Sequence, residues 1–160
     1  VGVSGRNSVK LKVLNSFGQL WVRSEEGFEL ISTDLAEFDK ILASNGDVFL
    51  EKDGILTQLI GSASDLTFTE IYSFDQGSIS DILVDKNGCK WISYDQGVKM
   101  ISDSYSTDFN MSIGFDGGAV EQFFQDHEGS IWIVTREKGL YSYQGDALKY
   151  LEFSKNQNSI

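Results

Sequence analysis

Residues 128–143 read EGSIWIVTREKGLYSY and predict one antiparallel β-hairpin together with its bounding turns. Gly129 follows three polar residues, and a glycine at positive φ is a common way to close a turn between antiparallel strands. Residues 131–134 are aromatic or β-branched, which suits a pleated, half-buried surface. Gly139 marks a second reversal before another strand-forming stretch. The segment is therefore predicted to be turn, strand, turn, strand.

The same hairpin pattern occurs four times along the chain. Each copy has a glycine three residues before a large aromatic residue and a second glycine after it. The aromatic residues are Trp21, Phe49, Trp91 and Trp132. They are separated by 28 residues (21 to 49), 42 (49 to 91) and 41 (91 to 132). A period of this length in strand-and-turn sequence is typical of propeller blades, each a four-stranded sheet. The short first interval predicts that the first blade lacks or shortens its outer strand.

The repeat predicts an all-β fold, a β-propeller segment of about four blades of four-stranded antiparallel sheets, with one blade shortened. Residues 1–160 are expected to form this single segment, with repeats at 8–38, 39–75, 76–116 and 117–153. A propeller closes into a ring so that no blade face stays exposed to water. Four blades either close a small ring or belong to a larger ring of roughly seven blades. The larger ring is preferred, because the terminal repeats do not look like caps.

Two details of this assignment are specific enough to test. In the third blade, a polar segment at 103–110 is expected to lie outside the strands, and residues 111–115 are expected to close the sheet. The inner strand of that blade is expected to begin at Ile79. Residues 34–38, DLAEF, are predicted to form a turn or a single helical turn, because strand-like sequence resumes directly afterwards.

Two of the copies resemble a known family. Residues 126–143, DHEGSIWIVTREKGLYSY, and residues 85–101, DKNGCKWISYDQGVKMI, resemble the two-component regulator propeller repeat. That repeat reads roughly Asp-x-x-Gly-x-Ile-Trp-Ile-Gly-Thr, followed by Gly-Leu. The lead-ins GSISDILVD and GGAVEQFFQD also resemble its inner strand. The fourth copy is close to the pattern, the third is fair, and the first and second are degenerate.

In this family the repeats form the extracytoplasmic sensor part of hybrid two-component regulators. The resemblance therefore implies a periplasmic, ligand-sensing propeller, belonging to an inner-membrane protein, with an oligosaccharide as the expected ligand. Binding would bias a kinase outside this segment through differential affinity for two states. The segment itself is not expected to be an enzyme. Two alternatives stay open: a non-catalytic protein–protein interaction propeller, and a propeller lyase or hydrolase acting on sugars.

The charge of the chain excludes several classes of partner. Its 24 acidic and 13 basic residues give a net charge of −11, which disfavours nucleic acid and anionic membrane surfaces. No stretch reaches the roughly 18 apolar residues needed to cross a bilayer, so this segment is not expected to insert into a membrane. A saccharide, and other propeller blades of a parent chain or a homodimer, remain as expected partners. The sequence is interpreted as a piece from inside a longer protein.

The sequence shows no grouping of residues that predicts catalysis or metal binding. Asp85 and Asp126 stand three residues before a turn glycine, where a carboxylate accepts hydrogen bonds from amides of its own turn. His127, the only histidine, lies in a predicted turn without metal-ligand spacing around it. The lone Cys89 is expected to be a buried or half-buried structural residue. The repeated aromatic position indicates packing between blades rather than stacking on a sugar. No catalytic residue, metal or cofactor is predicted.

Candidate ligand-binding residues follow from topology alone. Loops that link the second strand of a blade to the third lie on one rim of a propeller, together with the loops that lead to the next blade. Binding residues concentrate in such loops on a rigid scaffold. The predicted contacts are polar groups at Asp95, Gln96, Asp116 and Arg136, with Phe115 as a stacking face. The same rim is expected to hold Glu25, Glu26, Asp75, Gln76, Glu137 and Lys138.

Overall fold

The structure is a computed structural model that describes residues 11–14, 19–24, 27–32, 38–62, 65–74, 77–95, 97–145 and 148–151. The regular structure of these residues is β-strand apart from one short 3₁₀ turn. The chain divides into two compact units, Val1–Gly77 and Ser78–Ile160, and each is described by itself. In every sheet the neighbouring strands are consecutive in sequence and antiparallel.

The first unit contains a three-stranded and a four-stranded sheet. The three-stranded sheet consists of β1 (Leu11–Leu14), β2 (Leu20–Ser24) and β3 (Gly27–Ser32). The four-stranded sheet consists of β4 (Lys40–Ser44), β5 (Asp47–Lys52), β6 (Ile55–Ser62) and β7 (Asp65–Ser73). The three strands described for the first repeat agree with the predicted short blade. The expected helical turn at 34–38 lies, except for Phe38, outside the described residues.

Two tight turns fix the register of the four-stranded sheet in the first unit. Asn45 and Gly46 have φ angles of 50° and 86°, and Asp53 and Gly54 have φ angles of 52° and 79°. Positive φ at both central residues is the hairpin turn whose twist matches that of the flanking strands. A Cβ on Gly54 would lie 2.8 Å from the carbonyl oxygen of Phe74, so only glycine fits there.

Strand β5 carries the core of that sheet. Its central residues Val48, Phe49 and Leu50 are all buried, so the strand has no solvated face. Consecutive buried residues on one strand mean that both faces of the sheet are covered, as in a propeller blade. Phe49, the aromatic residue of the second repeat, is fully buried. Its predicted packing role is therefore confirmed.

The second unit consists of two four-stranded sheets. The third sheet of the chain consists of β8 (Ile82–Val84), β9 (Lys90–Tyr94), β10 (Gly97–Ile101) and β11 (Ser106–Phe109). The fourth sheet consists of β12 (Val120–Gln125), β13 (Ile131–Thr135), β14 (Gly139–Tyr143) and β15 (Leu148–Leu151). Each sheet is an up-and-down antiparallel meander, which confirms the predicted all-β, blade-like fold.

The outer strand of the third sheet differs from the prediction. It is β11, which lies within the segment expected to be loop, whereas Met111–Ile113 form the 3₁₀ turn. The strand forms because Asp108 is held by Lys99, whose Nζ donates to both carboxylate oxygens at 2.9 and 2.8 Å. Phe109 supplies the only large apolar side chain of the strand. An outer strand with one such residue has too weak an apolar pattern to be recognised from sequence.

The inner strand of the third sheet also starts later than predicted, at Ile82 instead of Ile79. Before that point the backbone pairing is irregular, because Ser80 and Asp81 both bond to Ser93: the Ser80 N–H donates to the Ser93 carbonyl at 3.1 Å, and the Ser93 N–H donates to the Asp81 carbonyl at 3.0 Å. The Ser93 hydroxyl accepts from the backbone N–H of Asp81 at 2.7 Å and lies 2.8 Å from the Ser80 hydroxyl. Serine side chains that bond to nearby backbone groups in this way compete with the regular hydrogen bonding between strands.

One hydrophobic cluster joins the two sheets of the second unit. The third sheet and the connection after it contribute Trp91, Val98, Met100, Phe109 and Phe115, and the fourth sheet contributes Val120, Phe123, Ile131, Ile133 and Tyr141. The Trp91 ring is 1% exposed and lies 4.9 Å from the ring of Tyr143, measured between centroids. The predicted packing of Trp91 between blades is therefore confirmed.

Polar contacts also link the innermost strands of these two sheets. A carboxylate oxygen of Asp81 accepts from the backbone N–H of Phe123 at 2.8 Å. The backbone N–H of Lys86 donates to the side-chain oxygen of Gln125 at 2.8 Å, and its Nζ donates to the carbonyl of Glu128 at 3.2 Å. The two sheets are thus connected on both sides of the apolar cluster.

The Asp81 contact leads to a testable prediction. Burial raises the pKa of this carboxyl above its ordinary value of 3.8, although the amides of Phe123 and Ile82 act in the opposite direction. Asp81→Asn keeps an acceptor for Phe123 and removes a half-buried charge, so we expect unchanged or higher stability at neutral pH. Asp81→Ala leaves the Phe123 N–H without this acceptor and is expected to lower the free energy of unfolding by about 1–3 kcal/mol.

Urea unfolding of both variants at acidic and neutral pH checks this expectation. The raised pKa means that the folded chain binds this proton more tightly than the unfolded chain. The wild type therefore loses stability relative to Asp81→Asn as the pH rises from the unfolded pKa through the folded one. An asparagine variant as unstable as the alanine variant would show that the carboxylate charge, rather than its acceptor oxygen, stabilises the contact.

Candidate functional site

The connections at one end of the second unit form the candidate site. Val98 pairs with Phe109, so β11 ends beside the turn between β9 and β10. Val120 pairs with Thr135, so β12 begins beside the turn between β13 and β14. The segment between β11 and β12 therefore joins the same end of both sheets. We call residues 95, 97, 110–119 and 136–138 the rim.

The carboxylate of Asp116 has two side-chain partners, Tyr141 and Lys138. One carboxylate oxygen accepts from the hydroxyl of Tyr141 at 2.8 Å, and the other lies 3.6 Å from Nζ of Lys138. The hydrogen bond from Tyr141, followed by the charge of Lys138, lowers the pKa of Asp116. Burial, followed by the bond to Asp116, raises the pKa of Tyr141 to about 12. Asp116 is thus held as a carboxylate and Tyr141 as a neutral hydroxyl.

Arg136 lies in the adjacent hairpin turn and forms an exposed ion pair with Glu121. Its backbone N–H donates to the carbonyl of Ala119 at 2.9 Å, which ties the β13–β14 turn to the segment entering β12. Exposed ion pairs contribute little to stability but leave their remaining donors and acceptors accessible to solvent. Arg136 and Asp116 therefore sit on connected segments of one rim, as predicted from topology.

Phe115 does not lie where the prediction placed it. Its side chain is 2% exposed and packs against Tyr141, with 4.9 Å between ring centroids. A Cβ on Gly117 would lie 2.7 Å from the Phe115 ring, so glycine allows the chain to close over it. The ring is part of the core and presents no open face for a sugar. Phe115 packs against the ring of Tyr141, and the hydroxyl of Tyr141 donates to Asp116.

The remaining predicted contacts are only partly described. Asp95 is exposed, and one of its carboxylate oxygens accepts from the backbone N–H of Ser78 at 3.2 Å. Gly97, at the end of the same turn, packs directly against the carbonyl of Phe109, which places this turn beside the start of the 110–119 segment. Residues outside the described part of the chain include Gln96, Glu25, Glu26, Asp75 and Gln76. Sequence reasoning also missed Tyr141 and Glu121, since neither lies in a predicted loop.

The opposite end of the unit has two matching turns. In each, one oxygen of the aspartate accepts from two backbone amides of the turn, at 2.8 to 3.0 Å. The other oxygen of Asp85 accepts from Nε1 of Trp91 at 3.1 Å, and that of Asp126 from Nε1 of Trp132 at 2.8 Å. The indole bond, followed by the turn amides, lowers the pKa of Asp126. The predicted structural role of both aspartates is confirmed.

The bond to the indole was not predicted, although its signal is visible in the sequence. The aspartate stands six residues before the tryptophan in both the third and the fourth repeat. A hairpin with a four-residue turn brings such a pair to the same edge of the sheet. Each of these carboxylates accepts three hydrogen bonds from its own repeat, which is a structural role.

The other reactive residue types are isolated. The side chain of His127 is 91% exposed at its turn. The Cys89 thiol is half-buried, and this burial raises its pKa, as do the negative charges of Asp85 and Asp103. Within the described ranges, no three residues of histidine, cysteine, aspartate or glutamate are grouped to bind a metal ion. The same part of the chain contains no helix with the length and apolarity to cross a bilayer.

The rim therefore offers hydrogen-bond donors and acceptors to a ligand. They are supplied by two oppositely charged pairs, Asp116 with Lys138 and Arg136 with Glu121. The Asp116 carboxylate is already oriented by two side chains, which reduces the ordering cost of a further hydrogen bond.

Solved propeller structures are similar to this chain in fold. A catalytically inactive virginiamycin B lyase from Staphylococcus aureus, solved with quinupristin, is 13% identical with a TM-score of 0.61, over 87% of this chain and 50% of its own. The extracellular domain of a proposed hybrid two-component system from B. thetaiotaomicron is 14% identical with a TM-score of 0.53, over 84% and 22%. A proposed gluconolactonase is 14% identical with a TM-score of 0.55, over 84% and 48%.

These similarities concern the fold. No family model and no curated protein sequence matches the chain. The chain spans about half the length of the lyase and of the gluconolactonase structures, and less of the sensor domain. The structures include both a sensor domain and enzymes, so the shared architecture is compatible with more than one activity. The chain has the fold of a β-propeller segment.

Proposed function

We propose that this chain is a ligand-binding part of an extracytoplasmic sensor propeller and that its ligand is a neutral oligosaccharide. The observation that carries the proposal is the rim centred on Asp116, whose carboxylate is oriented by Tyr141 and Lys138. The resemblance of the third and fourth repeats to two-component regulator propellers supports the sensor role. A solved propeller of a hybrid two-component system supports the same role at the level of fold.

The mechanism follows from the separation of scaffold and loops. The core between the third and fourth sheets is rigid, while the rim segments that carry Asp116 and Arg136 are exposed. A ligand that binds the rim differently in two arrangements of the propeller shifts the balance between them. In the proposed sensor, that shift is passed to a kinase outside this segment. The rim itself lies in the periplasm in this proposal.

The net charge of −11 supports a neutral ligand. An anionic ligand would meet long-range repulsion from the chain, and this repulsion is largest at low ionic strength. A cationic ligand would be attracted by many exposed carboxylates without preference for the rim. A neutral polyhydroxylated ligand depends on local hydrogen bonds alone, which is what the paired groups of the rim supply.

Calorimetric titration with a panel of neutral plant and host oligosaccharides tests the proposal. For a sugar that binds, Asp116→Ala is expected to weaken affinity at least about tenfold, because a hydrogen bond to a charged group contributes about 1.5–3 kcal/mol. Arg136→Ala is expected to act in the same direction. His127→Ala, an exposed change at the opposite end, serves as the control and should leave affinity unchanged.

Two outcomes would contradict the proposal. Unchanged affinity in the Asp116 and Arg136 variants would place binding elsewhere, and binding of no neutral sugar in the panel would exclude the ligand class. Because two of the three similar structures are named as enzymes, the titration is paired with chromatography of the sugar after incubation. Conversion of the sugar would favour the lyase or hydrolase alternative, and binding of a protein at the rim would favour an interaction propeller.

A further inference from the structure

Strand β15 places an aromatic ring next to the rim. Tyr150 pairs with Tyr141 across the fourth sheet, and their ring centroids lie 5.1 Å apart. Tyr141 also contacts Phe115, with 4.9 Å between centroids. Phe115 and Tyr141 are each 2% exposed, whereas Tyr150 is 53% exposed. We call these three residues the aromatic row, and only its Tyr150 end is accessible to solvent.

The aromatic row leads directly to the carboxylate of the rim. The hydroxyl of Tyr141 donates to Asp116 at 2.8 Å, while the ring of Tyr141 contacts Tyr150. One phenol ring therefore separates the exposed ring of Tyr150 from the Asp116 carboxylate. The end of β15 lies at the rim as well, because Leu151 pairs with Leu140 near the start of β14. All of these contacts belong to the second unit.

The sheet itself does not require an aromatic residue at this position. The register of the third sheet places Lys99 and Asp108 where the fourth sheet has Tyr141 and Tyr150. There the residues form an ion pair, with 2.8 Å between Nζ of Lys99 and a carboxylate oxygen of Asp108. An outer strand with aspartate at this position still completes a four-stranded sheet. The ring of Tyr150 is therefore available for a role other than building the sheet.

We propose that Tyr150 supplies the face on which a pyranose ring of the ligand stacks, a role that the buried Phe115 cannot take. This inference rests on the proposed function, in which the rim binds a neutral oligosaccharide. The face of an aromatic ring is electron-rich and attracts the weakly positive C–H groups of a sugar. A pyranose ring is similar in width to a phenol ring, so a sugar stacked on Tyr150 places hydroxyl groups of its next unit at Asp116.

The stacking face narrows the class of ligand. In β-linked glucose and xylose the substituents are equatorial, so the axial C–H groups form flat apolar faces. Such a face fits an aromatic side chain, as in other ligand sites that combine aromatic residues with a few polar groups. A linear polyol carries the same hydroxyl groups but has no ring face. The ligand class is therefore a β-linked oligosaccharide of flat pyranose rings.

Calorimetric titration with cellotriose, xylotriose and the linear polyol sorbitol tests this inference. At least one of the two trisaccharides is expected to bind, and sorbitol at least about tenfold more weakly. Tyr150→Ala should weaken binding of that trisaccharide at least about tenfold, because the stacking face is lost. Tyr150→Phe should stay within about twofold of the wild type, because it keeps the ring and loses only the hydroxyl.

Nuclear magnetic resonance of the bound trisaccharide adds a readout of the stacking itself. The ring current of Tyr150 should shift the axial protons of the sugar upfield. We expect this shift in the wild type and in Tyr150→Phe, and its loss in Tyr150→Ala.

Tyr105→Ala is the matched control, because Tyr105 is 56% exposed and lies in the turn between β10 and β11, at the opposite end of the unit. It removes the same residue type at nearly the same exposure and should leave affinity unchanged. Both tyrosines are exposed, so circular dichroism should show every variant folded.

The outcomes separate this inference from the proposed function. If Asp116→Ala weakens binding of a sugar and Tyr150→Ala does not, the rim site stands and the stacking role is overturned. Equal losses in Tyr150→Phe and Tyr150→Ala would also overturn it, because the hydroxyl would then make the contact. Binding of other neutral sugars but of neither trisaccharide would overturn the ligand class. Binding of no neutral sugar would overturn the proposed function together with this inference.

Discussion

Trp91→Ala is expected to lower the free energy of unfolding of the second unit by about 3–5 kcal/mol. The indole is almost completely buried between the two sheets and contacts the rings of Phe109 and Tyr143, with centroid distances of 5.6 and 4.9 Å. Its removal opens a cavity, takes away these ring contacts and leaves one oxygen of Asp85 without its donor. Chemical denaturation followed by circular dichroism measures the loss.

Trp132→Ala provides a matched control, because it removes the same residue type at the same position of the next repeat. Trp132 also donates its indole N–H to the aspartate six residues earlier, but its ring is only half-buried. In dilute solution the Trp132 variant should therefore lose clearly less stability than the Trp91 variant. Equal losses would mean that the indole bond, and not packing between sheets, determines the stability of this position.

Gly97→Ala is expected to lower the free energy of unfolding by about 3 kcal/mol or more, since both steric overlap and backbone strain oppose it. Gly97 begins β10 with a φ angle of 152°. A Cβ at this residue would lie 2.1 Å from the carbonyl oxygen of Phe109, which is backbone that the antiparallel pairing holds in place. The turn between β9 and β10 must move away from β11 to make room.

Gly88→Ala separates these two causes. Gly88 has a φ angle of 84°, and a Cβ there would meet no atom within 4 Å. The substitution carries only the strain of a left-handed conformation, about 1 kcal/mol. Thermal unfolding of both variants gives the comparison. A Gly97 variant no less stable than the Gly88 variant would show that β11 does not pack against this turn.

The hairpins themselves could be predicted closely from the sequence. Glycine closes each turn and an apolar, aromatic-centred stretch follows it, so two independent local signals agree on each strand. In β13, for example, the aromatic and β-branched residues 131–134 recognised in the sequence all lie in the strand. The repeat spacing then gives the number of sheets, because each period must contain one complete blade.

The outer strands and the long connections were harder to predict. Strand β11 contains Ser106, Thr107 and Asp108, whose strand conformation depends on pairing with β10 and on the bond from Lys99. Such contacts are made by the backbone and by polar side chains and therefore leave no periodic apolar pattern in the sequence. Phe115 was wrongly predicted to be an exposed stacking face, since Gly117, which lets the chain close over its ring, gives no signal of its own.

The candidate site was predicted in position but not in composition. Topology places residues 95, 97, 110–119 and 136–138 at one end of the unit, and this follows from strand order alone. The bond between Asp116 and Tyr141 does not, because Tyr141 belongs to a strand and its ring packs in the core while its hydroxyl reaches the rim. Tyr141 is 2% exposed and so has the sequence pattern of a core residue, although its hydroxyl donates to Asp116.

The central functional claim is that the rim binds a sugar without converting it. Nuclear magnetic resonance of the isotopically labelled chain, titrated with the neutral oligosaccharide that binds most tightly, tests this claim directly. We predict that the amide signals of Asp116, Lys138 and Tyr141 shift in proportion to occupancy while the spectrum of the sugar stays that of the intact compound. Shifts confined to the opposite end, around Asp85 and Asp126, or new signals from a cleaved sugar, would contradict the claim.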